Sequence, residues 1–345
     1  MRITLEKISS VTKNCNLSNE VTVTDDFKPV LGLVLAARVL NEKRLYNQLE
    51  LPTGRFATVQ KDDVIAVALG ERRALKGYVG SMPKTLKTGD IIQLLNMGGV
   101  AGIMESENLK EVGPSFNLEI LGAITGKSGK PLNIADNTLY SPKDSLISKV
   151  PMVIVSGTCM NSGKTTVASE VIKYATRAGL KVAAAKLSGV AAMRDTENMQ
   201  DHGAKKATSF VDAGLPSTVG CETALAVAKG AIDYLAQDKP DLIVIEFGDG
   251  IYGEYGVAGV IEDPEISGQV LCHIGCAHDP VGALGLVEYG KRIKNPLHII
   301  SGPVTDNSVG INFIEKECGV VAINAYNNPA KIFTIINKLL KNAKN

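Results

Sequence analysis

A chain of 345 residues, 45% hydrophobic and 21% charged, is longer than one average domain and has ordinary globular usage. Its 37 basic and 36 acidic residues leave a net charge of +1, which gives no electrostatic reason to expect nucleic acid or an anionic membrane as a partner. The opening Met1-Arg2-Ile3-Thr4-Leu5-Glu6 lacks the apolar core of a signal peptide, and Cys15, Cys159, Cys221, Cys272, Cys276 and Cys318 are too scattered for a disulfide framework. A reduced, soluble, cytoplasmic protein is expected.

From residue 30 to 124 the chain predicts short strands at 32–40, 55–60, 64–69, 74–80, 91–96, 100–105 and 118–124. They are separated by turn signals such as Pro52-Thr53-Gly54, Lys61-Asp62-Asp63, Thr88-Gly89-Asp90 and Gly98-Gly99. Many short strands at that spacing predict a barrel or a sandwich. Residues 125–149, with Gly126, Gly129, Pro131 and Pro142, have the composition of a linker. The expected organisation is a β-rich domain over 1–145, serving substrate or partner binding, and an α/β domain over 146–345.

After residue 145 the periodicity changes. Strands are predicted at 152–156, 182–186, 242–246, 270–274, 297–300 and 320–324, and helices at 163–178, 222–236, 281–293, 309–318 and 329–340. Val- and Ile-rich runs alternating with helices predict a parallel sheet covered on both faces, whose ligands bind beyond the carboxyl ends of the strands.

The first strand of that series runs into Ser156-Gly157-Thr158-Cys159-Met160-Asn161-Ser162-Gly163-Lys164-Thr165-Thr166 and then a helix, the context of a P-loop. Residues Gly157 to Thr166 are the expected nucleotide cradle. Gly163 lets the backbone approach the phosphates, Lys164 reaches the β and γ oxygens, and the Thr165 hydroxyl is placed for Mg²⁺. Counting back from Lys164, the usual first glycine falls on Thr158, with Gly157 one residue early.

Strand ends supply the other candidates. Lys186, before Ser188-Gly189, is placed to reach a γ-phosphate or an anionic substrate. Asp195 and Asp201 fall in the polar stretch that follows, read as a loop, and either could hold Mg²⁺. Glu246 ends the apolar run 242–246, and Glu246 first, then Asp249, are the expected Mg²⁺ carboxylates. The glycine-rich stretch 250–256 reads as a ligand-facing loop. Cys272, His273, Cys276 and His278 would suit a soft metal only if the chain bends after Ile274, and buried free cysteines are the simpler expectation. His278-Asp279 is the better candidate for substrate contact.

These motifs support a resemblance. Gly157-Thr158 with Gly163-Lys164-Thr165-Thr166, Lys186 with Ser188-Gly189, and Ile245-Glu246 with Gly248-Asp249-Gly250 resemble dethiobiotin synthetase and its relatives. Asp201-His202-Gly203 and Asp212-Ala213-Gly214 resemble the GTP-binding adaptor of molybdopterin-guanine dinucleotide biosynthesis. Val270-Leu271-Cys272-His273 and the last strand and helix resemble the P-loop family that includes a D-glutamate N-acetyltransferase. The resemblance covers residues 150 to 345. It implies phosphate and Mg²⁺ roles for Lys164 and Thr165, Mg²⁺ for Glu246, and the transferred phosphate or substrate for Lys186. It also implies a homodimer. The chain departs from dethiobiotin synthetase at Phe247, where that enzyme has glycine. Residues 301–306 lack the Asn-Lys-x-Asp that reads guanine, so ATP is expected over GTP.

Three readings follow. The first is an ATP- and Mg²⁺-dependent enzyme, ligase- or kinase-like, that activates a small carboxylate or amine, with Lys164, Lys186 and Glu246 as its catalytic residues. The second is a nucleotide-dependent switch or adaptor in cofactor or metal assembly. The third is an acyltransferase whose P-loop holds coenzyme A.

Overall fold

Period-2 burial along Asn117–Ile124, with Leu118 and Ile120 inside and Asn117 and Glu119 only partly covered, marks a sheet with one face in a core. That strand pairs antiparallel with Val34–Val39, which pairs antiparallel with Val64–Leu69. Val64–Leu69 pairs parallel with Val100–Glu107. Ile91–Leu94 then pairs antiparallel with both Val100–Glu107 and Asn117–Ile124. The ladder returns to its starting strand, so the β-rich part is a barrel rather than a sandwich, and closure removes free edges. Leu35, Ile65, Val67, Leu118 and Ile120 are fully buried in its core. Each such aliphatic side chain contributes roughly 1.5–3 kcal/mol. Arg2–Thr4, Lys7–Ile8 and Glu20–Thr24 extend the sheet. These three lie before residue 30 and were not predicted: Arg2–Thr4 and Lys7–Ile8 are too short for periodicity, whereas Glu20–Thr24 does alternate, with Val21 and Val23 buried.

The computed structural model describes residues 1–220 and 223–344. The chain forms two units. One comprises residues 1–140 together with 190–194 and 210–219; the other comprises 141–189, 195–209 and the described residues from Gly220 onward. The N-terminal unit thus includes two short segments from much later in the sequence, both beginning just after a strand of the second unit. Residues 125–149, read as a linker, are tied by hydrogen bonds. Asn133 caps the short helix Ile134–Asp136 in a capping box, and Leu139 N donates to Asp212 O at 2.7 Å.

The second unit is a seven-stranded sheet in the order Lys206–Ser209, Val182–Lys186, Leu242–Glu246, Met152–Gly157, Val270–Cys276, Ile299–Ser301, Val321–Ala322. Every neighbouring pair is parallel. All residues of the central strand Met152–Gly157 are buried, as a strand covered on both faces requires. The helix Lys164–Arg177 buries Val167, Val171, Ile172 and Ala175 in the same core as Val153, Val155, Val244 and Ile274. The strand predicted at 270–274 runs on to Cys276.

Some elements were not predicted. The edge strand Lys206–Ser209 is short and polar, and the helices Val257–Glu262 and Pro264–Ser267 are too short for periodicity. The stretch holding Asp195 and Asp201 is a helix, Arg194–Asp201, not a loop, and buries Thr196 and Met199. Cys221, and Glu222 where one helix was predicted to start, lie outside the described residues; that helix is described over Ala224–Ala236. Among the described residues, no helix is long and apolar enough to cross a membrane.

Candidate nucleotide site

Gly163 caps the helix Lys164–Arg177 with φ of 92°, and Asn161 also takes a left-handed conformation, at 60°. These two inversions fold 158–163 back over the helix N-terminus, where unpaired amides favour an anion. The early glycine now has a reason. A Cβ on Gly157 would collide with Ser162 Oγ and come within 2.9 Å of Cys276 O, whereas Thr158 places its methyl near Gly282 on the helix Pro280–Arg292. The close approach is therefore at 157, and 158 is free to carry a side chain. Lys164, buried at 6% exposure, donates to Cys159 O at 2.7 Å and reaches Ser162 Oγ at 3.4 Å. Burial, and then the like charge of Lys186, lowers the pKa of its ammonium.

Glu246 and Lys186 end adjacent parallel strands and are register partners. Lys186 Nζ lies 2.6 Å from Glu246 Oε1 and 2.8 Å from Asp195 Oδ2. Burial alone would lower the Lys186 pKa, but the two carboxylates outweigh it and the pKa is raised. The Thr165 hydroxyl donates to the same Glu246 oxygen at 2.8 Å. Glu246 Oε2 is buried and has no hydrogen-bond partner among the described residues. A carboxylate oxygen left unpartnered in the interior, next to the P-loop hydroxyl, is what a hard cation with few protein ligands would satisfy, so the residues fit Mg²⁺. The second unit has a P-loop NTPase fold.

No protein-family model matches the chain, and no curated protein matches it. Among solved structures the chain is similar to the 54 kDa protein of the signal recognition particle from Aeropyrum pernix in complex with GDP, with a TM-score of 0.38 and 17% identity, over 58% of this chain and 50% of that one. It is similar to the hydrogenase maturation factor HypB from Archaeoglobus fulgidus, with a TM-score of 0.40 and 15% identity, over 56% and 91%. HypB from Helicobacter pylori in complex with nickel gives 0.38 and 15%, over 56% and 86%. The chain spans about half the length of the first of these proteins.

The remaining P-loop surroundings come from strand-end turns. Asp249 sits in a left-handed conformation, at φ of 59°, in the turn Gly248-Asp249-Gly250, and its charge acts on Lys164. A Cβ on Gly250 would collide with Thr158 O, so this turn lies directly on the loop. Ile251 N donates to Gly157 O at 3.0 Å. Asp195 and Asp201 are separated. Asp195 opens its helix beside Lys186, and Asp201 is exposed at the other end, about 9 Å further along the axis.

The four potential soft-metal ligands do not converge. Unbroken strand geometry through Cys276 puts Cys272 and Cys276 in the hydrophobic core, and burial pushes both thiols up to about 12. His273 faces elsewhere, with Nε2 2.8 Å from Ser156 Oγ and Nδ1 3.3 Å from Asn295 O. Among the described residues there is no group of three or more His, Cys, Asp or Glu side chains able to hold a metal. His278 Nε2 lies 3.3 Å from Met160 O, and Asp279 caps the helix Pro280–Arg292 by accepting from Gly282 N.

Two neighbours of the loop escaped the sequence reading. Gly302, with φ of 92°, comes so close that a Cβ would collide with Ser162 O. Tyr326, 79% exposed, places its hydroxyl 3.4 Å from Thr166 Oγ1. Both follow predicted strands of the sheet, so their position at a carboxyl end was the available signal.

Proposed function

We propose that this protein is a Mg²⁺-dependent nucleoside triphosphatase that works as a nucleotide-operated switch. The observation that carries the reading is Glu246, which accepts the Thr165 hydroxyl while its second oxygen stays buried and unpartnered. In this reading the backbone amides of 159–164 and the Lys164 ammonium cradle the phosphates, the Thr158 amide being bonded to Cys276 O. Thr165 and Glu246 hold Mg²⁺, whose charge would favour departure of the terminal phosphate. Asp249 and Asp195 stand in reserve as carboxylates for its water shell. The absence of Asn-Lys-x-Asp from 301–306 keeps ATP ahead of GTP.

Two observations favour a switch over phosphoryl transfer to a small acid. Lys186, expected to position an acceptor, is engaged by Glu246 and Asp195. Residues 190–194 and 210–219, which follow the strands Val182–Lys186 and Lys206–Ser209, belong to the unit formed by the barrel. A change at the phosphate end of those strands therefore has a covalent route into the barrel unit, which would offer its surface to a protein partner.

The test is calorimetry and turnover on the full chain with Mg²⁺ and ATP, GTP or coenzyme A, beside Lys164→Ala. Triphosphate binding and hydrolysis that are lost in the variant, with altered hydrogen exchange in 190–194 and 210–219, are expected. Coenzyme A binding without hydrolysis would overturn the reading in favour of acyl transfer. Turnover that depends on an added carboxylate would overturn it in favour of a ligase.

A further inference from the structure

The segment that leads into Asp195 is gripped by a buried acid from far earlier in the sequence. Glu50 is 1% exposed. Its Oε2 accepts from Met193 N at 2.7 Å and from the Ser10 hydroxyl, and its Oε1 accepts from Arg194 N at 2.8 Å. Met193 and Arg194 belong to the same unit as Glu50. The same five-residue segment is fixed further back, where Asn96 Nδ2 donates to Ala191 O at 2.5 Å and Ala191 N donates to Pro216 O at 2.9 Å. Gly98 carries no side chain at a point where a Cβ would collide with Ala191 O.

We propose that Glu50 is a positioning residue for the phosphate site: by holding Met193 and Arg194 it keeps the next residue, Asp195, on Lys186. This inference rests on the switch reading above. Consecutive Cα atoms are about 3.8 Å apart, so the backbone pinned at Arg194 leaves Asp195 little freedom to move. Asp195 in turn shares the Lys186 ammonium with Glu246. The bonded partners of Glu50 among the described residues are amides and a hydroxyl rather than a cation. A carboxylate buried on such partners is held by directional bonds, and with the acid removed the two amides lose their acceptor. The chain loosens at 193–194, Asp195 leaves Lys186, and Lys186 is left to Glu246 alone. The acid therefore acts on the site through the backbone and touches no phosphate itself.

The experiment is steady-state hydrolysis by the full chain, with Mg²⁺ and whichever of ATP or GTP it turns over, for Glu50→Ala, Asp195→Asn and the double variant. Glu50→Ala should lower kcat by about tenfold with KM changed less than about threefold, and it should have no further effect in the Asp195→Asn background. An equal loss in both backgrounds, or no loss in either, overturns the inference. Should Glu50→Ala fail to fold, Glu50→Gln keeps the size and one oxygen acceptor, and it is read in the same two backgrounds for the same pattern at smaller amplitude. Absence of turnover in the unaltered protein would remove the switch reading and this inference with it. Turnover insensitive to Glu50 would remove this inference alone.

Discussion

Lys186 and Glu246 face each other across neighbouring parallel strands, in register, with their charged atoms 2.6 Å apart. Replacing Glu246 by Gln removes a charge from a pair that is almost wholly buried, and a buried ion stripped of its partner is destabilising by about 3 kcal/mol. Asp195 retains part of the compensation, so a folded protein with a lowered denaturation midpoint is expected. The folded-state pKa of Lys186 is raised, so its contribution is complete at neutral pH and declines only as pH climbs above the ordinary lysine value. Mg²⁺-dependent turnover should fall by about a hundredfold in Glu246→Gln, measured at saturating Mg²⁺. Unchanged turnover would remove Glu246 from the proposed site.

The displaced glycine makes a second prediction. Gly157→Ala drives a methyl group into Ser162 Oγ and towards Cys276 O, and should cost about 2 kcal/mol of stability as well as nucleotide affinity. Thr158→Gly, which restores the commoner pattern, should leave affinity within about threefold, because the Thr158 methyl lies beside Gly282 and its hydroxyl makes only a long contact, 3.8 Å, with Cys159 Sγ. Calorimetric titration of both variants decides it. A loss in Thr158→Gly with none in Gly157→Ala would reverse the assignment.

What could be read from the residues alone tracks how local the determining physics is. The strands Val64–Leu69, Val182–Lys186 and Leu242–Glu246 carry their own apolar runs and were predicted with the observed bounds. The P-loop was legible because strand, glycine and helix are contiguous. The helix Arg194–Asp201 was not, since the amides of Met193 and Arg194 at its start are bonded by Glu50, some 140 residues away in sequence. The four soft ligands looked clustered because they are close in sequence. Strand alternation and continuation to Cys276 disperse them. Barrel closure through Ile91–Leu94 depends on pairing with two strands at once, which no single segment encodes.

His273 is fully buried, and burial lowers its pKa to about 4, against the opposing effect of its bond to Asn295 O. A carbonyl only accepts, so Nδ1 carries the proton and Nε2 accepts from the Ser156 hydroxyl. The unfolded chain protonates this imidazole near pH 6.5, whereas the folded chain resists until about 4. The stabilisation is therefore complete above pH 6.5 and is lost as pH falls from there to 4, by about 3 kcal/mol. Denaturation midpoints across that range should fall steeply in the unaltered protein and less steeply in His273→Gln. Parallel pH profiles would show that another group controls acid stability.

The last prediction contrasts two members of one ion pair. Asp233 accepts from Ser148 N at 2.7 Å and from Ile147 N at 3.1 Å, and also pairs with Lys143 at 2.8 Å. Its side chain is 5% exposed and that of Lys143 is 39%. Asp233→Ala leaves buried or half-buried amides without an acceptor and should cost about 3 kcal/mol. Lys143→Ala removes only the exposed half of the pair, whose worth is screened by solvent, and should cost less than about 1 kcal/mol. Urea denaturation of the two variants separates these cases. A larger loss for Lys143→Ala would mean that the charge pair, rather than the amide bonds, fixes residues 147–148.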